Sequence, residues 1–153
     1  MTTQPAPQSA PLSKQRLRVW LRLLVAQRGM ESHLREKMRL RFGCTLPRFD
    51  VLSALERHRS GLRMSDLSAK LKVSNGNVTG IVDRLSGEGL VERVSVDGDR
   101  RAMRVRLTST GIKRFGEMAQ QHEIWVDEYL ATHDEQELDR LITLLSKIGG
   151  EPE

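Results

Sequence analysis

Cysteine is almost missing from this chain: Cys44 is the single one among 153 residues. One thiol excludes an intrachain disulfide and fits a reducing compartment, so the cytoplasm is the expected location. Long apolar runs are missing too. None approaches the roughly 18 residues that a membrane span needs, and the first residues do not read as a secretory signal, so no membrane partner is expected. The motifs of catalysis are likewise absent. There is no phosphate-cradling glycine loop, no metal-ligand spacing and no nucleophile motif. The expectation is therefore no enzyme, no cofactor and no metal site. His122-Glu123 is only a fragment of a ligand set, and His33, His58 and His133 form no pattern.

What the chain does have is charge, unevenly placed. The net of +5 permits a nucleic-acid partner without requiring one. Residues 13–41 hold nine Lys/Arg against two Glu, whereas residues 109–153 hold four against ten Asp/Glu. Residues 1–12 carry no charge and three prolines, and read as a disordered tail.

Hydrophobic spacing predicts a mainly α protein with a small β-wing. A first helix from about Ser13 to Arg41 carries Leu17, Trp20, Leu21, Leu24, Met30, Leu34 and Met38 on an apolar face. A second starts at Pro47, which suits a first helical position, and ends near Arg59-Ser60-Gly61. Phe49, Leu52 and Leu55 point inward. A short third helix begins with Ser65 as candidate cap and places Leu67 and Leu71 on one face. The fourth, from Ser74 to Ser86, lines up Val78, Ile81, Val82 and Leu85 in one stripe. Lys72-Val73 leaves room only for a sharp turn, so the third and fourth segments form a helix-turn-helix. After it, Asp97-Gly98 signals a tight hairpin. Met103, Val105 and Leu107 alternate strictly with Arg104, Arg106 and Thr108. Beyond the hairpin, Ser109 or Thr110 opens a long helix to about Ala131, carrying Ile112, Phe115, Met118, Ala119, His122, Trp125, Val126 and Tyr129. The last helix runs from Asp134 to Ile148 with Leu138, Leu141, Ile142, Leu145 and Ile148 in its stripe. Asp134 and Glu137 form a candidate capping box.

The helix-turn-helix and the basic hairpin together point to double-stranded DNA. The apolar stripe of the fourth helix leaves Asn75, Gly76, Asn77, Thr79, Gly80, Asp83 and Arg84 facing away from the core. Two glycines on that face each cost a helix about 0.8–1 kcal/mol, which close approach to a DNA surface would explain. Ser74 caps the helix, Asn bridges adenine edges, Thr meets a thymine methyl and Arg84 holds a phosphate. The bland reading is a surface helix. The hairpin tip, with Asp99, Arg100, Arg101 and Arg104, suits a phosphate backbone or a narrow groove.

Several runs resemble the MarR family of winged-helix transcription regulators. They are Leu46-Pro47-Arg48-Phe49-Asp50-Val51-Leu52, Met64-Ser65-Asp66-Leu67-Ser68, and Val78-Thr79-Gly80-Ile81-Val82-Asp83-Arg84-Leu85. Glu88-Gly89-Leu90-Val91-Glu92-Arg93, Asp99-Arg100-Arg101 and Leu107-Thr108-Ser109-Thr110-Gly111 complete the series. The resemblance covers residues 46–111 in the family's order and spacing. It implies a homodimer on a palindromic operator, usually a repressor released by a small ligand, with Asp99 orienting Arg101 into the minor groove. It also implies a winged helix-turn-helix over 46–108, and a dimerisation region built from 13–45 and 109–148, whose wide apolar faces need covering.

The basic first helix has two readings. Its charge offsets the acidic C-terminal region of a partner, or it holds a small anionic effector. The sequence style also resembles the aromatic-acid branch of the family, including hydroxycinnamoyl-CoA sensors. That implies an aromatic carboxylic acid or its CoA thioester as effector. Arg16, Trp20, Arg22, Arg48, His122 and Trp125 are the candidate ligand residues, from the helices where the family binds ligands. For Trp20 and Trp125 the plainer reading is core or dimer packing, and for His122 a satisfied core histidine. A thiol-based redox sensor using Cys44, with its pKa lowered by Arg41 and Arg48, is one alternative. A metal sensor and a winged-helix protein-interaction module are the others.

Overall fold

The structure is a computed structural model that describes residues 11–71, 75–96 and 99–150, without the side chains of residues 75 and 99–102. The expected tail up to residue 10, the Lys72-Val73 turn, the Ser74 cap and the Asp97-Gly98 turn lie outside the described residues. The element order is α1 (Leu12–Phe42), α2 (Leu46–Arg57), β1 (Leu62–Arg63), α3 (Met64–Leu71), α4 (Asn75–Gly87), β2 (Val91–Val96), β3 (Asp99–Leu107), α5 (Ser109–Leu130) and α6 (Glu135–Gly149). The protein is mainly helical, with one three-stranded antiparallel sheet in the order β1-β3-β2.

The chain divides into two units, residues 1–33 and 34–153. The first contains most of α1. There Leu17, Trp20 and Leu21 of the expected apolar face are exposed, whereas Met38, on the part of α1 in the second unit, is fully buried.

The second unit holds the core. Val51, Leu52 and Leu55 of α2 meet Leu67 of α3, Val78, Val82 and Leu85 of α4, and Val105 of β3, all fully buried. Each such side chain contributes about 1.5–3 kcal/mol relative to an exposed one. Met38, Met118 and Trp125 extend this cluster. The α4 stripe is as the spacing predicts, with Ile81 partly buried beside its three buried neighbours.

Element ends differ by a residue or two from expectation. Ser65 lies one residue inside α3 instead of capping it. The cap of α5 is Thr108, not Ser109 or Thr110: its side chain accepts from the Gly111 amide at 3.0 Å. Thr108 Oγ1 also donates to the Gly89 carbonyl at 2.6 Å, and its amide donates to the Leu90 carbonyl at 3.1 Å. One side chain thus starts α5 and ties it to the residues leading into β2. The Asp134–Glu137 capping box of α6 forms in both directions.

The hairpin is present, but its register holds a surprise. Val91 to Ser95 pair in sequence with Leu107 to Met103, and then Val96 pairs with Asp99. The ladder therefore leaves Arg100, Arg101 and Ala102 as surplus residues of β3, at an irregularity next to Ser95 and Val96. Such bulges re-aim a strand and break its pairing. β1, which adds Leu62 and Arg63 against Val105 and Arg104, has no counterpart in the sequence reading. Met103, expected on the core face with Val105 and Leu107, is exposed.

Candidate nucleic-acid interface

α4 sets out the first half of the interface. Its stripe is locked into the core, so Gly76, Asn77, Thr79, Gly80, Asp83 and Arg84 lie on the exposed side. Asn75 opens the helix. A Cβ built on Gly76 or Gly80 would meet nothing within 4 Å. Packing against the described residues therefore gives no reason for either glycine. The wing sets out the second half. Asp99, Arg100, Arg101 and Arg104 all lie on β3, the first three where the ladder is irregular and Arg104 opposite Val94.

Carboxylates thread through this surface. Asp83 of α4 accepts from the Arg93 guanidinium of β2, which links α4 to the stem of the wing. Arg106 Nε donates to Glu92 Oε1 at 2.7 Å across the β2–β3 ladder. Arg84 Nε donates to Glu88 Oε1 at 2.9 Å, one helical turn away. Arg48 of α2 reaches that same oxygen at 3.8 Å. Exposed pairs of this kind are worth about 0.2–1 kcal/mol each. They are weak enough to exchange for a phosphate. Glu88 and Arg93 were not among the sequence-predicted site residues. The Arg84–Glu88 spacing of four is the signal that could have found the first pair.

The candidate ligand residues fall in two places. Arg16, Trp20 and Arg22 are exposed on α1 in the first unit. Arg48, His122 and Trp125 belong to the second. There the His122 ring stacks on Phe49 at 4.8 Å between centroids, and Phe49 lies 5.5 Å from Phe115. Trp125 is buried, its ring 6.1 Å from Phe42, and the Arg114 guanidinium covers the other ring of that pair, Phe42, at 5.0 Å. Phe42, Phe115 and Arg114 escaped the sequence reading as partners, because their contacts join helices far apart in the chain. Burial lowers the His122 pKa and so favours its neutral ring.

Cys44 is buried, and its thiol lies 3.4 Å from the Thr45 carbonyl. Burial pushes its pKa up. Arg48 and Arg114 pull it back and Glu88 adds to the rise. The alternative of a thiol pKa lowered by Arg41 and Arg48 is therefore disfavoured: desolvation outweighs the guanidinium charges, as a buried inert cysteine requires. No described helix is long and apolar enough to cross a membrane.

Known proteins show the same organisation. A model described as the MarR family matches residues 42–102. The chain is 23% identical over 138 residues to the HTH-type transcriptional regulator MhqR of Bacillus subtilis, covering 90% of this chain and 94% of that one. Among solved structures, a MarR family transcriptional regulator from Silicibacter pomeroyi superposes with a TM-score of 0.77 at 28% identity, over 92% of this chain and 96% of that one. A mutant MarR from E. coli complexed with operator DNA shares the fold, with a TM-score of 0.75 at 23% identity over 92% of this chain and 99% of that one. Joined to the α3–α4 pair and the β2–β3 wing, these likenesses identify residues 42–102 as a winged helix-turn-helix of the MarR family of transcription regulators.

Proposed function

We propose that the protein is a sequence-specific regulator that binds a palindromic operator as a homodimer and represses until a small anionic effector releases it. One observation carries the DNA reading: the exposed, glycine-bearing side of α4 adjoins a wing whose three surplus residues include Arg100 and Arg101. α4 enters the major groove, where Asn75, Asn77 and Thr79 meet base edges. Asp99, Arg100, Arg101 and Arg104 of the wing meet the backbone and the minor groove. The dimer places two such sets about one DNA turn apart, with residues 13–45 and 109–148 supplying the subunit contacts. The effector is an anion because residues 13–41 are strongly basic. An aromatic carboxylic acid or its CoA thioester fits that charge, with Arg16, Trp20, Arg22, Arg48, His122 and Trp125 as candidate contacts.

A salt series of anisotropy titrations tests the DNA reading. Arg101→Ala weakens binding to every duplex and lowers the slope of log affinity against log salt by about one. Asn77→Ala and Thr79→Ala instead relax sequence preference, costing about 1–3 kcal/mol only at the base pair each reads. If all three variants bind DNA as the parent does, the winged helix is a protein-interaction module instead. Adding aromatic acids and their CoA thioesters to the DNA-bound protein tests the effector, and no release by any of them rejects it. The raised Cys44 pKa speaks against the thiol-sensor alternative.

A further inference from the structure

Glu88 follows the last turn of α4, its amide donating to the Arg84 carbonyl at 3.1 Å. A single carboxylate oxygen, Oε1, faces two guanidinium groups: Arg84 at 2.9 Å and Arg48 at 3.8 Å. The two arginines sit in different surroundings. The Arg84 side chain is 64% exposed on the side of α4 turned to solvent, and the Arg48 side chain only 19% exposed on α2. Thr45 fixes the start of α2 by accepting from the Arg48 amide, so the base of Arg48 is held while Arg84 is open to solvent.

We propose that Glu88 is a positioning residue for Arg84, holding its guanidinium back from the DNA backbone, and that Arg48 sets the strength of that hold by sharing the same carboxylate oxygen. The inference rests on the DNA reading of α4 and adds a regulator to it. A carboxylate divided between two cations attracts each less than it would one alone. Arg84 must surrender its share of Glu88 to meet a phosphate. With Arg48 in place the surrender is easy, because Glu88 keeps a cation. If the Arg48 charge is lost, Glu88 falls wholly on Arg84 and also stands unbalanced near the incoming phosphates. An anion bound at Arg48 acts in the same direction, which gives an anionic effector a route to the DNA surface through two ion pairs. Cys44, whose thiol feels both Arg48 and Glu88, reports that these charges act on one small region.

The test is a double-mutant cycle read by DNA affinity across a salt series, with the thermal midpoint of each variant measured alongside. Glu88→Gln raises affinity for every duplex sequence about twofold, the size of an exposed i,i+4 pair, and steepens the salt dependence by up to about one ion. Arg84→Ala removes that gain. Arg48→Gln weakens binding about twofold in the parent and has no effect in the Glu88→Gln background. Arg48→Lys, which keeps the charge, restores parental affinity and guards against a merely unfolded Arg48→Gln. An Arg48 effect equal in both backgrounds, or absent from the parent, overturns the proposal while leaving DNA binding intact. So does a Glu88→Gln gain that survives Arg84→Ala, since Glu88 would then act by repulsion alone. A parent protein that binds no duplex at low salt overturns the DNA reading and this inference together.

Discussion

Cys44 and His122 are both pushed by burial toward their neutral forms, and each makes a separate prediction. Desolvation raises the Cys44 pKa, so the thiolate that reacts with alkylating agents and peroxide is scarce at neutral pH. The pH profile of alkylation should rise only above the ordinary thiol range. Arg48→Gln should move it higher and Glu88→Gln lower, and an inflection near neutrality would contradict the site as described. His122 runs the other way along the pH axis. Its folded pKa lies below the ordinary imidazole value of 6.5, so the unfolded chain binds the proton more readily. The stability it contributes is full above that value and is lost as pH falls from there through the folded pKa. Urea unfolding between about pH 7 and pH 5 should show stability dropping as acid is added. His122→Phe, which keeps a ring against Phe49 and removes the proton, should flatten that part of the curve. An unchanged slope would mean that another group is responsible.

At the scale of elements, the junction between the wing and α5 is tightly constrained. A Cβ on Gly111 would stand 1.9 Å from the Leu90 carbonyl oxygen, a backbone atom that cannot swing away. Gly111→Ala should therefore cost at least about 2 kcal/mol, by the overpacking it forces. Thr108→Ala, which removes the cap and the bond to Gly89, should cost about 1–2 kcal/mol, read from the same denaturant curves. Had both changes no effect, α5 would not be anchored through this corner. Neither contact could be read from the chain, since each joins residues about twenty apart that only the folded backbone brings together. The long helices were legible because a 3.6-residue period repeats many times within each. β1 was not, because two residues have no period. The β3 alternation was legible, but not where it would stop being buried. Val105 and Leu107 lie over the core, whereas Met103 has passed beyond it. The exposed side of α4 followed from its buried stripe. The Arg84–Glu88–Arg48 chain did not, because Arg48 is forty residues from its partner.

For the whole molecule the open question is what covers α6. This helix has 15 residues and a complete capping box, yet none of them is buried. Leu141, Ile142, Leu144, Leu145 and Ile148 are between 43% and 64% exposed. A helix of this length is marginal in water on its own, and a cap adds only about 1 kcal/mol, so a packing partner must supply the rest. A second copy of the chain is that partner in the proposed homodimer. Leu141→Glu with Leu145→Glu puts four unpaired charges into such an interface, and burying them would cost more than the association returns. Sedimentation equilibrium should find the parent dimeric at micromolar concentration and the double variant monomeric, with part of its helical circular dichroism lost. Operator affinity should fall much further than binding to a single half-site, because the monomer forfeits the linked second contact. If the parent sediments as a monomer, or the double variant keeps both its mass and its operator affinity, α6 is not where two subunits meet. The spacing of the two DNA-reading surfaces would then have to be set elsewhere.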